Sequence, residues 1–302
     1  MSGDAKSIPA SVRARLRNLA RQQGVAVDQL MLDYAIERFL YRLSVTPHGE
    51  KLIVKGATML RAWGAPLGRP TRDIDFLGRM DPTPAGVEAV VRECLAVDCS
   101  DDGLTFGDDL AISEITVENR YPGVRVLLWA YLDGARMRLK LEVGLDDVAV
   151  PEPSWVDFPV LLDLNAPRVL AYRPATSIAE KLDAMVTLGT TNSRMKDSYD
   201  IWMLASSLQI DGEELVSAIQ ATFEHRHTPL PNELPVAWTP EYFDDPAVRA
   251  RWRGFSAKSG IEGAGELSDV CSVIMEFLMP AIRAAEEGAE FVRQWEPGGG
   301  WR

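Results

Sequence analysis

Residues 55–78 read KGATMLRAWGAPLGRPTRDIDFLG, and the order of residue types in this stretch decides the fold. A short apolar run at 52–54 ends on Lys55-Gly56, and small and helix-favouring residues follow. Then Arg72-Asp73-Ile74-Asp75-Phe76 alternates charged and apolar side chains. Alternation with period two marks a half-buried strand. Asp73 and Asp75 therefore share one face, about 7 Å apart, while Ile74 and Phe76 face a core. Two carboxylates so placed repel each other unless a cation lies between them, and hard oxygen donors favour Mg²⁺ or Mn²⁺. The plainer reading of the pair is a solvated strand end. Just upstream, the strand–glycine–helix passage offers unbonded N–H groups to an anion. Gly56, Ala57 and Thr58 leave a phosphate room to approach, and Arg69 and Arg72 add positive charge at the mouth.

Working outward, ARMRLKLEVG at 135–144 is a second such strand. Met137, Leu139, Leu141 and Val143 line one face, and Arg138, Lys140 and Glu142 the other. Beside the aspartates, Glu142 would give the third carboxylate of a two-metal phosphoryl-transfer site. In that scheme Asp75 bridges both ions, Asp73 completes the triphosphate side and Glu142 the nucleophile side. Farther on, Lys181 lies off the apolar stripe of Ile178, Leu182, Met185 and Val186, where it can reach a triphosphate. Asp197 and Asp200 are three apart and share a helix face, with Arg194 and Lys196 each one turn from an aspartate. That group is either an ion-pair network or a device that orients the lysine or an acceptor.

The remaining chain sorts by period. The first 45 residues and 84–95 are helical, and 104–145 is strand-rich. After a proline-rich passage, Ser177 and Glu180 form a capping box that opens a helix ending at Gly189. Further helices are expected near 212–224, 246–256 and 266–292, and the closing EPGGGWR is expected to be disordered. The fold class is α+β with a mixed or antiparallel sheet. Three segments result: N-terminal helices at 1–45, an α/β core at 46–170 and a mainly helical domain at 171–295.

Bulk properties narrow the function. The chain has 302 residues, 46% hydrophobic and 25% charged, as in ordinary globular proteins. No stretch approaches the roughly 20 apolar residues of a membrane span, and the N-terminus has no apolar signal core, so a cytoplasmic protein is expected. Cys94, Cys99 and Cys271 make no zinc pattern; neither do His48, His225 and His227. The net charge of −12 argues against a protein whose whole surface grips nucleic acid. Locally the balance differs. Lys6, Arg13, Arg15, Arg17 and Arg21 stand against Asp4 alone, whereas Asp98, Asp101, Asp102, Asp108, Asp109, Glu114 and Glu118 read as a solvated acidic surface.

Taken in order, KGATMLRAWG…RPTRDIDFLG, ARMRLKLEVGLDD and SIAEKLDAMVTLG…SRMKDSYDIWML resemble the AbiEii/AbiGii-type nucleotidyltransferase toxin family. The resemblance covers about residues 28–208, and its most specific element is AEKL followed by RMKDxYDxW. It implies a polymerase-β-like nucleotidyltransferase core with an added helical domain, NTP as donor, Mg²⁺ or Mn²⁺, and a cognate antitoxin. It also implies an RNA acceptor, with the tRNA 3′ end as the leading candidate, and a block of translation. By position, Asp73 and Asp75 match the metal-binding pair, Lys55-Gly56 the strand-end element, Lys181 the EKL lysine, and Asp197 and Asp200 the last aspartate motif. Two positions depart from the pattern. Gly56-Ala57-Thr58 stands where the wider superfamily has Gly-Gly or Gly-Ser, so Thr58 takes the place of the NTP-gripping serine. Glu142 stands where relatives often have Asp. Other readings keep the chemistry with a protein hydroxyl or an aminoglycoside as acceptor, or discard it for a binding role.

Overall fold

The computed structural model describes residues 7–64, 69–81, 83–117, 121–189, 194–261 and 263–302. Asp4, Lys6 and Glu118, counted above among the charges, lie outside these residues. The chain divides into two compact units, the first made of Met1–Ala62, Pro70–Asp147 and Trp155–Ala171, the second of Trp63–Arg69, Val148–Ser154 and Tyr172–Arg302.

The first unit begins with two helices, α1 (Ile8–Gln23) and α2 (Val27–Ser44). A proline in its first turn starts α1, and Gly24, at φ 68°, ends it in the left-handed conformation that glycine adopts without strain. Tyr34, Phe39 and Leu40 of α2 are wholly buried. Then follow β1 (Leu52–Lys55), the short helix α3 (Met59–Ala62), β2 (Asp73–Gly78), α4 (Pro84–Leu95), β3 (Thr105–Phe106), β4 (Ala111–Val117), β5 (Tyr121–Leu132), β6 (Ala135–Gly144), β7 (Ser154–Asp157) and β8 (Arg168–Ala171).

These strands form one sheet in the order β3-β5-β6-β2-β1-β8-β7, with β4 also paired to β5. The sheet is mixed. β1 runs antiparallel to β2, β5 to β6 and β4 to β5, while β2 is parallel to β6 and β1 to β8. The alternation read from the sequence holds. Ile74, Phe76, Leu139, Leu141 and Val143 are buried at or near zero exposure, and Val124, Val126 and Leu128 of β5 join them. The opposite face carries the charged positions.

One expectation fails here for a simple electrostatic reason. Asp102 is not part of a solvated acidic surface: it is buried, and its carboxylate accepts a 2.6 Å bond from Arg42 of α2. A charge of opposite sign on a core helix draws it inward.

The second unit holds α5 (Pro174–Leu188), α6 (Met195–Ser207), β9 (Ile210–Asp211), α7 (Gly212–His225), α8 (Pro240–Phe243), α9 (Pro246–Ser259), α10 (Leu267–Glu287), β10 (Gln294–Glu296) and β11 (Gly300–Trp301). The capping box at Ser177 does not form. α5 starts a turn earlier, with proline in its first turn, and Ser177 is buried inside it. Proline's fixed φ and missing N–H favour that first turn. A capping box does form at Glu266 and Asp269, opening α10. The C-terminal tail is ordered rather than disordered: β11 pairs with β10, and β10 with β9. Trp301 stacks on Phe277 with ring centroids 5.7 Å apart and donates its indole N–H to the Phe277 carbonyl. Two indoles, Trp295 and Trp301, bring enough apolar area to fix a segment that its glycines would otherwise leave loose. Among the described residues, no helix is long and apolar enough to cross a membrane.

Candidate active site

Strand pairing brings together residues that lie far apart in sequence. Lys55 on β1 is the register partner of Asp75 on β2, Asp75 of Glu142 on β6, and Glu142 of Arg125 on β5. Register partners share a face, so one row of charges, Lys55–Asp75–Glu142–Arg125, crosses four strands at a spacing of about 4.8 Å. Two residues along β2, a second row begins with Asp73 opposite Lys140. Three carboxylates thus sit among three cations on one face of the sheet.

The contacts follow from that register. Lys140 Nζ lies 2.7 Å from Asp73 and 3.0 Å from Glu142, and Arg125 Nη2 lies 2.7 Å from the same Glu142 oxygen. Burial alone would raise the Glu142 pKa, but Lys140 and Arg125 outweigh it and hold the carboxyl below its ordinary value. Burial likewise disfavours the Lys140 ammonium, and Asp73 and Glu142 reverse the effect. Both groups stay charged at neutral pH. Lys55 is buried and reaches Asp147 at 3.1 Å.

Gly56 has φ 69°, and a Cβ there would collide with the Asp75 carboxylate. Glycine is required twice over, for its backbone angle and for the close approach of Asp75. The space above Gly56, read from sequence as open to a phosphate, is therefore bounded by Asp75. Thr58 is buried, and its hydroxyl donates to the Asp73 carbonyl at 3.2 Å. It pins the start of β2, as Thr71 does from the other side at 3.1 Å. Ala57 is buried as well, and Arg72 is exposed.

The donor set fits a hard divalent cation held in part by substrate. Asp73, Asp75 and Glu142 offer only oxygen. Among the described residues, no three ligating side chains converge closely enough to hold an ion by themselves. Mg²⁺ is commonly bound through one or two carboxylates, with phosphate and water completing its shell.

The second unit carries the other motif residues. Lys181 Nζ on α5 is 2.8 Å from Asp200 and 3.5 Å from Asp197, both on α6 and both fully buried. Arg69 meets Asp200 with two bonds of 2.9 Å, and Arg194 meets Asp197 at 2.7 Å. A chain of alternating charge, Arg69–Asp200–Lys181–Asp197–Arg194, results. Burial would depress the Lys181 pKa, yet Asp200 and Asp197 hold it above the usual lysine value. Burial would raise that of Asp200, yet Lys181 and Arg69 hold it down. Two expectations are corrected by these contacts. Arg69 belongs to this network and not to the mouth beside the aspartates, because its fork matches the Asp200 carboxylate. Lys196 is exposed and is not the partner of Asp200; Arg69 and Lys181 fill that role.

Sequence reading missed Arg125 and Asp147 as neighbours of the carboxylates, and it placed Lys140 on the Glu142 face without giving it a partner. One signal was available. Asp133 and Gly134 both have positive φ and join β5 to β6 as a two-residue turn, with Leu132 paired to Ala135. An Asp-Gly hairpin fixes the register, and counting back from it reaches Arg125 opposite Glu142.

Comparison with known proteins bears on the fold and the family. A search of curated proteins gives no match. Among solved structures, the chain is similar to MenT4, a nucleotidyltransferase toxin from Mycobacterium tuberculosis H37Rv, at 20% identity and a TM-score of 0.52, covering 91% of this chain and 99% of that one. A nucleotidyltransferase-like protein from H. pylori matches at 15% identity and a TM-score of 0.49, over 87% of this chain and 97% of that one. The first likeness shows a shared fold. The family described as "Nucleotidyl transferase AbiEii toxin, Type IV TA system" matches residues 38–266, well over half of the chain. The chain belongs to the AbiEii family of nucleotidyltransferase toxins.

Proposed function

We propose that this nucleotidyltransferase uses a divalent metal ion, Mg²⁺ or Mn²⁺, to transfer a nucleotide from an NTP to an RNA hydroxyl, the tRNA 3′ end, and so blocks translation. The observation that carries this reading is the row Lys55–Asp75–Glu142–Arg125 with Asp73 and Lys140 beside it. Asp73, Asp75 and Glu142 are the residues that would hold the ion, with substrate phosphate completing its shell. When bound, it neutralises the phosphates and favours the alkoxide form of the attacking hydroxyl.

The chain's own residues do the rest by position and charge. Lys140 and Arg125 keep Glu142 ionised, ready to accept a cation. Gly56 lets the Asp75 carboxylate stand close to the start of α3. Exposed Arg72 offers a guanidinium to the triphosphate. In the second unit, Lys181 is kept protonated by Asp200 and Asp197, as a residue that serves a triphosphate must be. Little covalent work is asked of the protein in such a displacement. The same reading puts the protein in the cytoplasm, with NTP and tRNA, and under the control of a cognate antitoxin.

The test is transfer from an α-labelled NTP in the presence of total RNA and total protein, with and without chelator. Label is expected on RNA, lost with chelator, and reduced about a thousandfold or more by Asp75→Ala at an unchanged circular dichroism spectrum. Label on protein instead would sink the RNA reading. Chelator-resistant transfer would sink the metal.

A further inference from the structure

The charged face of the first unit's sheet continues beyond Asp73 into a groove of about 760 Å³, walled also by residues of α1 and α2. Six cations line it: Arg13 from α1, Arg72 before β2, Arg125 from β5, and Arg136, Arg138 and Lys140 from β6. Asp28 and Asp73 are the acids among its walls. In a chain of net charge −12, this is a strong local reversal of sign.

Three of these cations are already engaged. Arg125 and Lys140 are taken up with Glu142 and Asp73, and Arg13 lies 3.5 Å from Asp133. Among the described residues, Arg72, Arg136 and Arg138 form no ion pair with a carboxylate. All three are exposed. Arg136 and Arg138 alternate on one strand face, so their guanidiniums repeat at about 7 Å, in line with Lys140. That repeat is comparable to the spacing of phosphates along an extended nucleic-acid strand. Trp129 and Tyr131 are the register partners of Arg138 and Arg136 and so share the face. Arg136 lies over the Trp129 ring at 3.7 Å, and Tyr131 is 40% exposed.

We propose that this groove is the path of the acceptor RNA strand, with Arg136 and Arg138 on its phosphates and its bases turned toward Trp129 and Tyr131, which stand beside the groove on the same sheet face. Aromatic rings interleaved with unpaired guanidiniums are the two parts of a single-strand binding surface. An acidic protein would use the cations but has no need of the aromatic rings beside them. The groove borders Asp73, so a strand lying in it runs toward the proposed catalytic carboxylates of the same unit. The proposal rests on the reading that the acceptor is RNA.

The experiment is fluorescence anisotropy with a labelled CCA-ended RNA oligonucleotide at several salt concentrations. The variants are Arg136→Ser/Arg138→Ser and, as a charge-matched control on α9, Arg253→Ser/Lys258→Ser. The groove variant should bind RNA about tenfold more weakly, and its plot of log affinity against log salt should be shallower by about 1.4. Calorimetric affinity for Mg²⁺–NTP should not change, and the control should match wild type. RNA affinity and salt slope equal to wild type would overturn the groove. So would competition by poly-glutamate as effective as by unlabelled RNA, which would assign the surface to an acidic protein. If wild type neither binds nor labels RNA, the acceptor reading itself fails. If wild type labels RNA and the groove variant binds it normally, the groove alone fails.

Discussion

Each unit gathers acidic and basic side chains, and the two sets are built differently. In the first unit Asp73, Glu142 and Lys140 are 39%, 20% and 30% exposed on an open sheet face. In the second, Asp197 and Asp200 are shut away from solvent, and Lys181 and Arg69 close over them at 12% and 13% exposure. An exposed ion pair contributes little to stability and is readily exchanged for another partner. A buried one is costly to break, because the remaining charge has nowhere to go. The open set is suited to receive an ion and phosphates, and the closed set to hold a lysine in a fixed place and charge state.

The largest expected effect attacks the closed set. Asp200→Ala leaves Lys181 and Arg69 facing each other without their shared carboxylate, and should cost about 3–5 kcal/mol of stability. Asp73→Ala, by contrast, removes a half-exposed partner of Lys140 and should cost less than about 1 kcal/mol. Urea denaturation of the two variants measures the difference. Equal losses would show that the buried network is no tighter than the exposed one.

A second contrast is in pH response. Asp200 has its folded pKa lowered, so its contribution is present above the ordinary carboxylate value of 3.8 and is lost as pH falls through the folded value. Lys181 has its folded pKa raised, so its contribution is complete below 10.5 and is lost as pH rises through the folded value. Between those limits the second unit's network is insensitive to pH. Glu37 of α2 in the first unit behaves oppositely. Burial raises it to about 7, only partly offset by Arg38, the Leu161 N–H and Arg61, while Asp102 adds to the rise. The folded state then holds a proton that the unfolded state releases above about 4.5. Stability should fall by about 3 kcal/mol as pH rises from 4.5 to 7. Glu37→Gln should flatten that slope in denaturation midpoints measured across the range. A slope that survives the substitution would exclude Glu37 as its source.

How much of this was legible depended on whether the information was local. Alternation placed Ile74, Phe76, Leu139 and Leu141 in the core, because period two is a property of a few consecutive residues. The three carboxylates were found the same way. What joins them was not local: the parallel pairing of β2 with β6 sets Asp75 opposite Glu142 across more than sixty residues, and no turn dictates it. The β5–β6 hairpin was within reach through Asp133-Gly134, and with it Arg125. Asp102 and Arg69 were misjudged because their partners, Arg42 and Asp200, lie 60 and 131 residues away. The tail was misjudged because a chain end is poorly ordered unless something ties it down, and here Trp295 and Trp301 do so.

The smallest effect tests whether the open set is as exchangeable as its exposure suggests. Lys140 places one ammonium between Asp73 and Glu142, at 2.7 and 3.0 Å, so an arriving divalent ion competes with it for the same oxygens. Lys140→Met keeps the length and the apolar stem while removing the charge. Without the competing ammonium, the carboxylates should bind Mn²⁺ several-fold more tightly in calorimetry without NTP, about 1 kcal/mol. Stability should change by less than about 1 kcal/mol, since the broken pairs are partly solvated. The equivalent change in the closed set, Lys181→Met, gives no such gain and destabilises the fold, because Asp197 and Asp200 cannot turn to solvent. If Lys140→Met left Mn²⁺ affinity unchanged or weaker, the ammonium would be a fixed part of the charge row, as Lys181 is of its own.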